Sequence, residues 1–118
     1  MATTVLLVDD HPSFRASARA LLAAEGFEVV GEAADGREAL EAVRELRPDL
    51  VLLDVQLPDM DGFAIATHLC KLNGERPIIV LTSSRDEADF GSIVGTCGAA
   101  AFVPKAELTG AALRAVLR

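Results

Sequence analysis

Short apolar runs alternate in this chain with longer segments of helical periodicity. The apolar runs occupy residues 5–8, 28–32, 50–53, 78–81 and 101–103. This alternation is typical of repeated βα units, in which helices cover a parallel sheet. Three runs are almost continuously apolar, as strands buried on both faces must be, whereas the more polar second run indicates an edge strand. The sequence therefore predicts an α/β fold with a five-stranded parallel sheet.

Segments of helical periodicity lie between and after these runs, at residues 13–25, 36–46, 63–72, 86–96 and 107–117. Pro12 suits the first position of the first helix, and Gly26 suits the residue just past its end. In the segment 86–96, Gly91 and Gly95 each cost about 1 kcal/mol relative to alanine in a helix interior. We expect a soft helix there, and its glycines are explained equally well by close packing or by a deformable element.

Length and charge exclude several classes of protein. With 118 residues, of which 51% are hydrophobic, the chain suits one domain spanning residues 1–118. A net charge of −7 argues against binding to nucleic acid or to an anionic membrane, because both require a basic surface. The apolar run 5–8 is too short for a signal peptide or a membrane span, so we expect a cytoplasmic protein.

Cys70 and Cys97 form no C-x-x-C motif and have no metal-ligand spacing with His11 or His68, so we expect no structural zinc site.

Polar residues lie at the carboxyl ends of the predicted strands. Asp9 and Asp10 follow the first strand, Asp54 the third and Thr82 the fourth, and Lys105 lies two residues past the fifth. Parallel α/β sheets bind ligands beyond this edge, where the strand order reverses. In the flavodoxin-like order 2-1-3-4-5 the first and third strands are neighbours, so the three aspartates would meet in one crevice. Three carboxylates held together require a cation, and an all-oxygen site with few protein ligands favours Mg²⁺ over Ca²⁺.

Each of these residues also has an ordinary structural explanation. Asp10 and Thr82 could cap helices, and Lys105 could be a solvated surface charge. These explanations do not account for the position of all five residues at strand ends on one side of the sheet. As a set, they suit an aspartyl phosphate, with Asp54 as nucleophile and with the metal, Lys105 and the Thr82 hydroxyl neutralising or binding the phosphate oxygens. No Gly-rich phosphate loop is present, so we expect that the donor is not a nucleotide bound here.

The motifs resemble, in order and over essentially the whole chain, those of the receiver domains of two-component response regulators. They are Val8-Asp9-Asp10, Leu53-Asp54-Val55-Gln56-Leu57-Pro58 with Asp61-Gly62, Leu81-Thr82-Ser83 and Phe102-Val103-Pro104-Lys105. The resemblance implies a flavodoxin-like (βα)₅ fold, with Asp54 as phosphoacceptor. It also implies Mg²⁺ bound by Asp9, Asp10, Asp54 and the backbone carbonyl of Gln56, contacts of Thr82 and Lys105 with the phosphoryl group, and a switch formed by Thr82 and Phe102.

The same resemblance implies partners and a mechanism. A sensor histidine kinase would supply the phosphoryl group, and phosphorylation would repack the surface formed by residues 86–96, the fifth strand and the last helix. The stretch Asp9-Asp10-His11-Pro12 with Arg15 is similar to receivers attached to LuxR-type helix-turn-helix output domains, and in this reading His11 is a loop residue. We expect either an output domain beyond Arg118 or a stand-alone receiver, and a phosphorylation-dependent homodimer is compatible with both.

Two other functions remain open from the sequence. A phosphatase of the haloacid dehalogenase type also uses an aspartyl nucleophile and Mg²⁺, but it needs an Asp-x-Asp motif, and here Gln56 takes the second position. A receiver-like interaction module that works without phosphorylation would not need the complete site. The sequence favours a signalling switch over an enzyme.

Overall fold

A five-stranded parallel sheet organises the part of the chain that the structure describes. The computed structural model describes residues 2–71, 77–83 and 99–117. Within them the strands are β1 (Thr4–Val8), β2 (Glu28–Ala33), β3 (Leu50–Asp54), β4 (Ile78–Ser83) and β5 (Ala101–Pro104). All neighbouring pairs are parallel, in the order β2-β1-β3-β4-β5. The predicted fold class and strand order are confirmed, and β2 lies at an edge as its polar sequence indicated.

The described helices are α1 (Pro12–Ala24), α2 (Gly36–Leu46), α3 (Gly62–Cys70), a 3-10 turn (Lys105–Glu107) and the C-terminal helix (Gly110–Leu117). The helix expected at residues 86–96, and Leu72 at the end of the helix expected at 63–72, lie outside the described residues. Within the described ranges, no helix combines the length and the apolar character needed to cross a membrane.

Helix boundaries show where local sequence signals were correct. Pro12 begins α1, as predicted. Gly26 lies just past the C-terminal end of α1 and adopts a left-handed backbone conformation, with φ of 88°. His11, not Asp10, is the N-cap of α1, so the capping explanation for Asp10 was wrong. The helix predicted from residue 107 begins only at Gly110, because the Thr109 hydroxyl accepts a hydrogen bond from the amide of Ala112 at 3.0 Å.

Two apolar clusters cover the two faces of the sheet. On one face α2 and α3 pack against strand residues that include Leu6, Val51, Leu53 and Leu81. On the other face α1 and the C-terminal helix pack against Val5, Leu7, Leu50, Leu52 and Val80. Helices on both sides cover the central strands and bury most of their residues. The polar side chains at the carboxyl ends of these strands are therefore held by a rigid support.

Candidate functional site

The register of the sheet aligns three polar residues at its carboxyl edge. Val8 of β1 pairs with Leu53 of β3, so the next residues, Asp9 and Asp54, are adjacent across the two strands. Asp54 in turn pairs with Thr82 of β4. Asp54 and Thr82 belong to their strands instead of following them, because the ladder between β3 and β4 continues through this pair. The expected convergence at one edge is confirmed.

Lys105 joins the two buried carboxylates. Asp9 is 1% exposed and Asp54 is 3% exposed. The Lys105 Nζ atom lies 2.7 Å from Asp9 Oδ2 and 3.2 Å from Asp54 Oδ2. Its position follows from the sheet, since Thr82 pairs with Val103 of β5 and Lys105 lies two residues further along the chain. Lys105 is therefore not the solvated surface charge that the ordinary explanation allowed.

The loop between β3 and α3 holds Asp54 in place. The Gln56 amide donates a hydrogen bond to Asp54 Oδ1 at 3.0 Å, and the Val55 amide donates to the Thr82 carbonyl at 3.0 Å. A Cβ atom at Gly62 would collide with the carbonyl oxygen of Asp54 and with the Cα atom of Val55. Glycine is required at position 62 because the start of α3 lies directly against the backbone of Asp54 and Val55.

Burial and charge have opposing effects on the pKa values of these groups. Burial raises the pKa of Asp54 above its usual value, and the hydrogen bond from Gln56 and the charge of Lys105 offset this only in part. Burial acts on Asp9 in the same direction, but the Lys105 ammonium and the His11 amide outweigh it, so the pKa of Asp9 is lowered. Burial would lower the pKa of Lys105, yet the two carboxylates raise it. Lys105 is therefore a permanent cation at neutral pH.

Asp10 and His11 complete the acidic cluster at its solvent side. The His11 Nδ1 atom lies 3.0 Å from Asp9 Oδ1 and 3.1 Å from Asp10 Oδ1. One ligand atom from each of Asp9, Asp10, His11 and Asp54 lies within 4.8 Å of all the others. The sequence predicted three of these residues in a metal site and His11 in a loop; His11 does lie in the loop before α1, and its contact with the carboxylates was not predicted. The position of His11 directly after the aspartate pair was the available signal.

The cluster has the properties of a cation site. The buried Asp9 Oδ2 atom lies 2.7 Å from the Lys105 ammonium, which also pairs with Asp54 at 3.2 Å. One ammonium is thus shared by two buried carboxylates, and a bound metal ion would offset their remaining negative charge. Carboxylate oxygens are the ligands that hard divalent ions prefer. The side chains of Asp9, Asp10 and Asp54 therefore fit Mg²⁺.

Two residues of α1 support the site and were not predicted. The Lys105 Nζ atom lies 4.4 Å from the centroid of the Phe14 ring, in cation–π geometry. Arg15 donates a hydrogen bond to the Asp9 carbonyl and forms an ion pair with Glu32 at 2.9 Å. In the sequence, Phe14 is indistinguishable from an ordinary core residue of an amphipathic helix. Only the packing shows that it also contacts the ammonium.

Phe102 lies behind the site in β5. It pairs with Leu81 and is 8% exposed, within the apolar cluster on the α2 and α3 face. Thr82, in the neighbouring strand, is buried at 1% exposure. Thr82 and Phe102 therefore lie on the adjacent strands β4 and β5, and their role in switching stays a prediction.

Comparisons with known proteins identify the family to which the chain belongs. Residues 5–118 match the family described as "Response regulator receiver domain". The chain is 41% identical over 103 residues to a putative transcriptional regulator of Pseudomonas aeruginosa. The aligned segment covers 87% of this chain and 49% of the relative. The chain is 39% identical over 107 residues to the virulence factors putative positive transcription regulator BvgA of Bordetella pertussis, covering 91% of this chain and 51% of the relative. The chain thus spans about half the length of these curated relatives.

Solved structures give the same result. A LuxR-family two-component response regulator from Aurantimonas superposes with a TM-score of 0.86 at 31% identity, covering 99% of this chain and 86% of the other. The signal receiver domain of the putative response regulator NarL from Mycobacterium tuberculosis superposes with a TM-score of 0.84 at 36% identity, covering 98% and 97%. Sequence, strand order and the row of acidic residues agree, and this chain belongs to the response regulator receiver domain family.

Proposed function

We propose that this chain is a phosphorylation-dependent signalling switch in which Asp54 accepts a phosphoryl group from a partner histidine kinase. The observation that carries the proposal is the position of the Lys105 ammonium between Asp9 and Asp54. It places a permanent cation against the oxygen that would become the acyl phosphate. A carboxylate can act as a nucleophile toward phosphorus when such charges neutralise the phosphate oxygens.

The transfer would proceed by attack of an Asp54 carboxylate oxygen on the phosphorus of a phosphohistidine. The new O–P bond forms as the P–N bond breaks, and the electron pair stays on the imidazole nitrogen, which takes a proton from water. Lys105 would move from pairing two carboxylates to pairing a carboxylate and the phosphoryl group. The Gln56 amide would hold the unreacted oxygen Oδ1, so that Oδ2 faces the donor.

The acidic side chains would hold Mg²⁺, with Asp9, Asp10, Asp54 and the Gln56 carbonyl as its protein ligands. When bound, the ion supplies positive charge that offsets the negative charge of the transferring phosphoryl group. Asp9 and Asp10 are thus binding residues, and Asp54 alone is the acceptor.

Thr82 is the residue through which the phosphorylated state would be detected. It lies beside Asp54 in the sheet, and its hydroxyl can donate a hydrogen bond to a phosphate oxygen. Movement of Thr82 toward the phosphate would favour one position of Phe102 on the next strand. Phosphorylation shifts the population only through such differential contacts. Residues 86–96, part of the predicted responding surface, lie outside the described residues.

Transcriptional control is the output that the relatives suggest. Two of them are named as transcriptional regulators, and each is about twice as long as the matched segment. We propose that this receiver controls a DNA-binding output domain or a separate partner, with phosphorylation-dependent dimerisation as one route. The net charge of −7 argues against direct nucleic acid contact by the receiver itself.

The test is phosphorylation by a small donor. The chain is incubated with acetyl phosphate and Mg²⁺ and its intact mass is measured, alongside Asp54→Asn. Asp59→Asn is a matched control, since Asp59 lies in the same loop and its asparagine keeps an acceptor for the amide of Gly36. We expect one phosphoryl adduct in the wild type and in the Asp59 variant, and none in the Asp54 variant. An adduct that persists in Asp54→Asn, or continuous turnover of a phosphate ester, would overturn the proposal.

A further inference from the structure

The acidic cluster holds the side chain of His11, because its Nδ1 atom lies within hydrogen-bond distance of Asp9 Oδ1, at 3.0 Å. His11 is the N-cap of α1, but its side chain makes no capping hydrogen bond. The imidazole is 62% exposed, so apolar packing does not hold it either. Instead Nδ1 points at the carboxylate oxygens of Asp9 and Asp10, at 3.0 and 3.1 Å.

The backbone directs the ring toward the cluster. His11 precedes Pro12, which disfavours helical dihedrals at His11 and keeps it extended, with φ of −99° and ψ of 108°. The His11 amide donates a hydrogen bond to Asp9 Oδ1 at 2.8 Å, so the main chain is fixed next to the carboxylate. A side chain attached at this point reaches the acidic cluster without entering the core.

We propose that His11 Nδ1 is a ligand of the divalent cation held by Asp9, Asp10 and Asp54. The site then takes borderline transition ions such as Mn²⁺, Co²⁺ and Ni²⁺ in addition to Mg²⁺. The inference rests on the proposed function, because it assumes that a cation binds at the acidic cluster. Imidazole nitrogen suits these ions, whereas Mg²⁺ prefers an all-oxygen environment.

The observed distances are compatible with a common ion. The ligand atoms of the four residues lie within 4.8 Å of one another, so their side chains converge on one point. Asp10 and His11 are exposed members of the loop between β1 and α1, so their side chains are free to adjust toward a bound ion.

The expected consequence is a change in metal preference. In His11→Gln we expect the affinity for Ni²⁺ to fall about tenfold or more relative to the affinity for Mg²⁺, the scale on which groups at metal sites act. Titration calorimetry with each ion gives this ratio. His68→Gln is the matched control, since His68 is the other histidine of the chain and lies exposed on α3. It should leave the ratio unchanged.

Pulsed electron paramagnetic resonance of bound Mn²⁺ gives a direct readout. We expect nitrogen modulation from a coordinated imidazole in the wild type and in His68→Gln, and its loss in His11→Gln. Bound Mn²⁺ without nitrogen modulation, or modulation that persists in His11→Gln, would overturn the inference. Tighter metal binding by His11→Gln would also overturn it, because the imidazole would then compete with the ion.

The same protein distinguishes this inference from the proposed function. Mg²⁺-dependent phosphorylation of the wild-type chain on Asp54 is measured by mass and needs no ligand from His11. If the adduct forms and Mn²⁺ shows no nitrogen ligand, only the inference fails. If no adduct forms while the nitrogen signal is present, the proposed function fails and the metal site stands. Absence of Mn²⁺ binding overturns the inference.

Discussion

Replacement of Lys105 by methionine tests the electrostatic account of the site most severely. The Lys105 ammonium lies 2.7 Å from Asp9 Oδ2 and 3.2 Å from Asp54 Oδ2, and both carboxylates are almost fully buried. Methionine retains most of the side-chain volume but removes the charge. Breaking a buried ion pair from one side costs about 3–5 kcal/mol, because the remaining charge has lost its partner. We expect the lower end, about 3 kcal/mol, since Asp54 can take up a proton in compensation.

The corresponding change in melting temperature follows from the length of the chain. An unfolding entropy of about 2.1 cal/mol/K per residue gives about 0.25 kcal/mol/K for 118 residues. A loss of about 3 kcal/mol then lowers the Tm by about 12 °C in buffer without divalent metal. Urea denaturation followed by circular dichroism provides the free energy of unfolding. Lys71→Met is the control, because Lys71 is exposed at the end of α3 and should change stability by less than about 0.5 kcal/mol.

A second variant separates charge from packing. Burial raises the pKa of Asp54, so its ionised form is disfavoured in the folded state, and Asp54→Asn should stabilise the protein without metal. In the double variant with Lys105→Met, the loss should be smaller than in Lys105→Met alone, because one of the two unpaired charges is gone. A loss below about 1 kcal/mol in Lys105→Met, or an equal loss in both backgrounds, would refute the account.

Three other predictions concern the residues around the site. Phe14→Leu removes the ring that lies 4.4 Å from Lys105 Nζ and should slow phosphorylation by acetyl phosphate several-fold, as followed by mass over time. Phe14→Tyr keeps an aromatic ring and should retain the wild-type rate. Equal rates in all three proteins would contradict a role for this contact. Gly62→Ala forces a Cβ atom into the backbone of β3 and should lower the free energy of unfolding by about 1–3 kcal/mol in urea, and an unchanged value would show that the loop relaxes freely. Hydrogen bonds and charge from Arg19 and Arg15 lower the pKa of Glu32. The ionised Glu32 therefore stabilises the fold at pH values above its pKa in the unfolded chain, and this stabilisation is lost as the pH falls through its lower pKa in the folded protein. The stability difference between wild type and Glu32→Gln should therefore shrink on acidification, and a difference that does not depend on pH would contradict this assignment.

The sheet and most of the site were predictable because they depend on strong local signals. Continuously apolar runs identify buried parallel strands, and the positions of Asp9, Asp54 and Lys105 relative to those runs place them at one edge. The strand order then brings Asp9 within 4.8 Å of Asp54, although the two residues are 45 positions apart in the sequence. It likewise brings Lys105, 51 positions after Asp54, to 3.2 Å from that carboxylate. Side-chain identity and strand register are enough for this step.

The rest depended on packing and on hydrogen bonds that have no periodic signature. The late start of the C-terminal helix follows from a single bond to the Thr109 hydroxyl. The contact of Phe14 with the ammonium requires the relative positions of α1 and β5, which apolar periodicity does not specify. The approach of His11 to Asp9 and Asp10 depends on the extended backbone before Pro12. None of these three features can be predicted from periodicity, because each depends on contacts that form only in the folded structure.

Residue-level mapping of the phosphoryl group shows whether Asp54 is the acceptor. Borohydride reduces an acyl phosphate to the alcohol and leaves free carboxylates intact, so a phosphorylated aspartate is converted to homoserine. After treatment with acetyl phosphate, Mg²⁺ and borohydride, peptide mass spectrometry should detect homoserine at position 54 and at no other acidic residue. Homoserine at another aspartate, or unmodified Asp54 in protein that carries a phosphoryl adduct, would contradict the account.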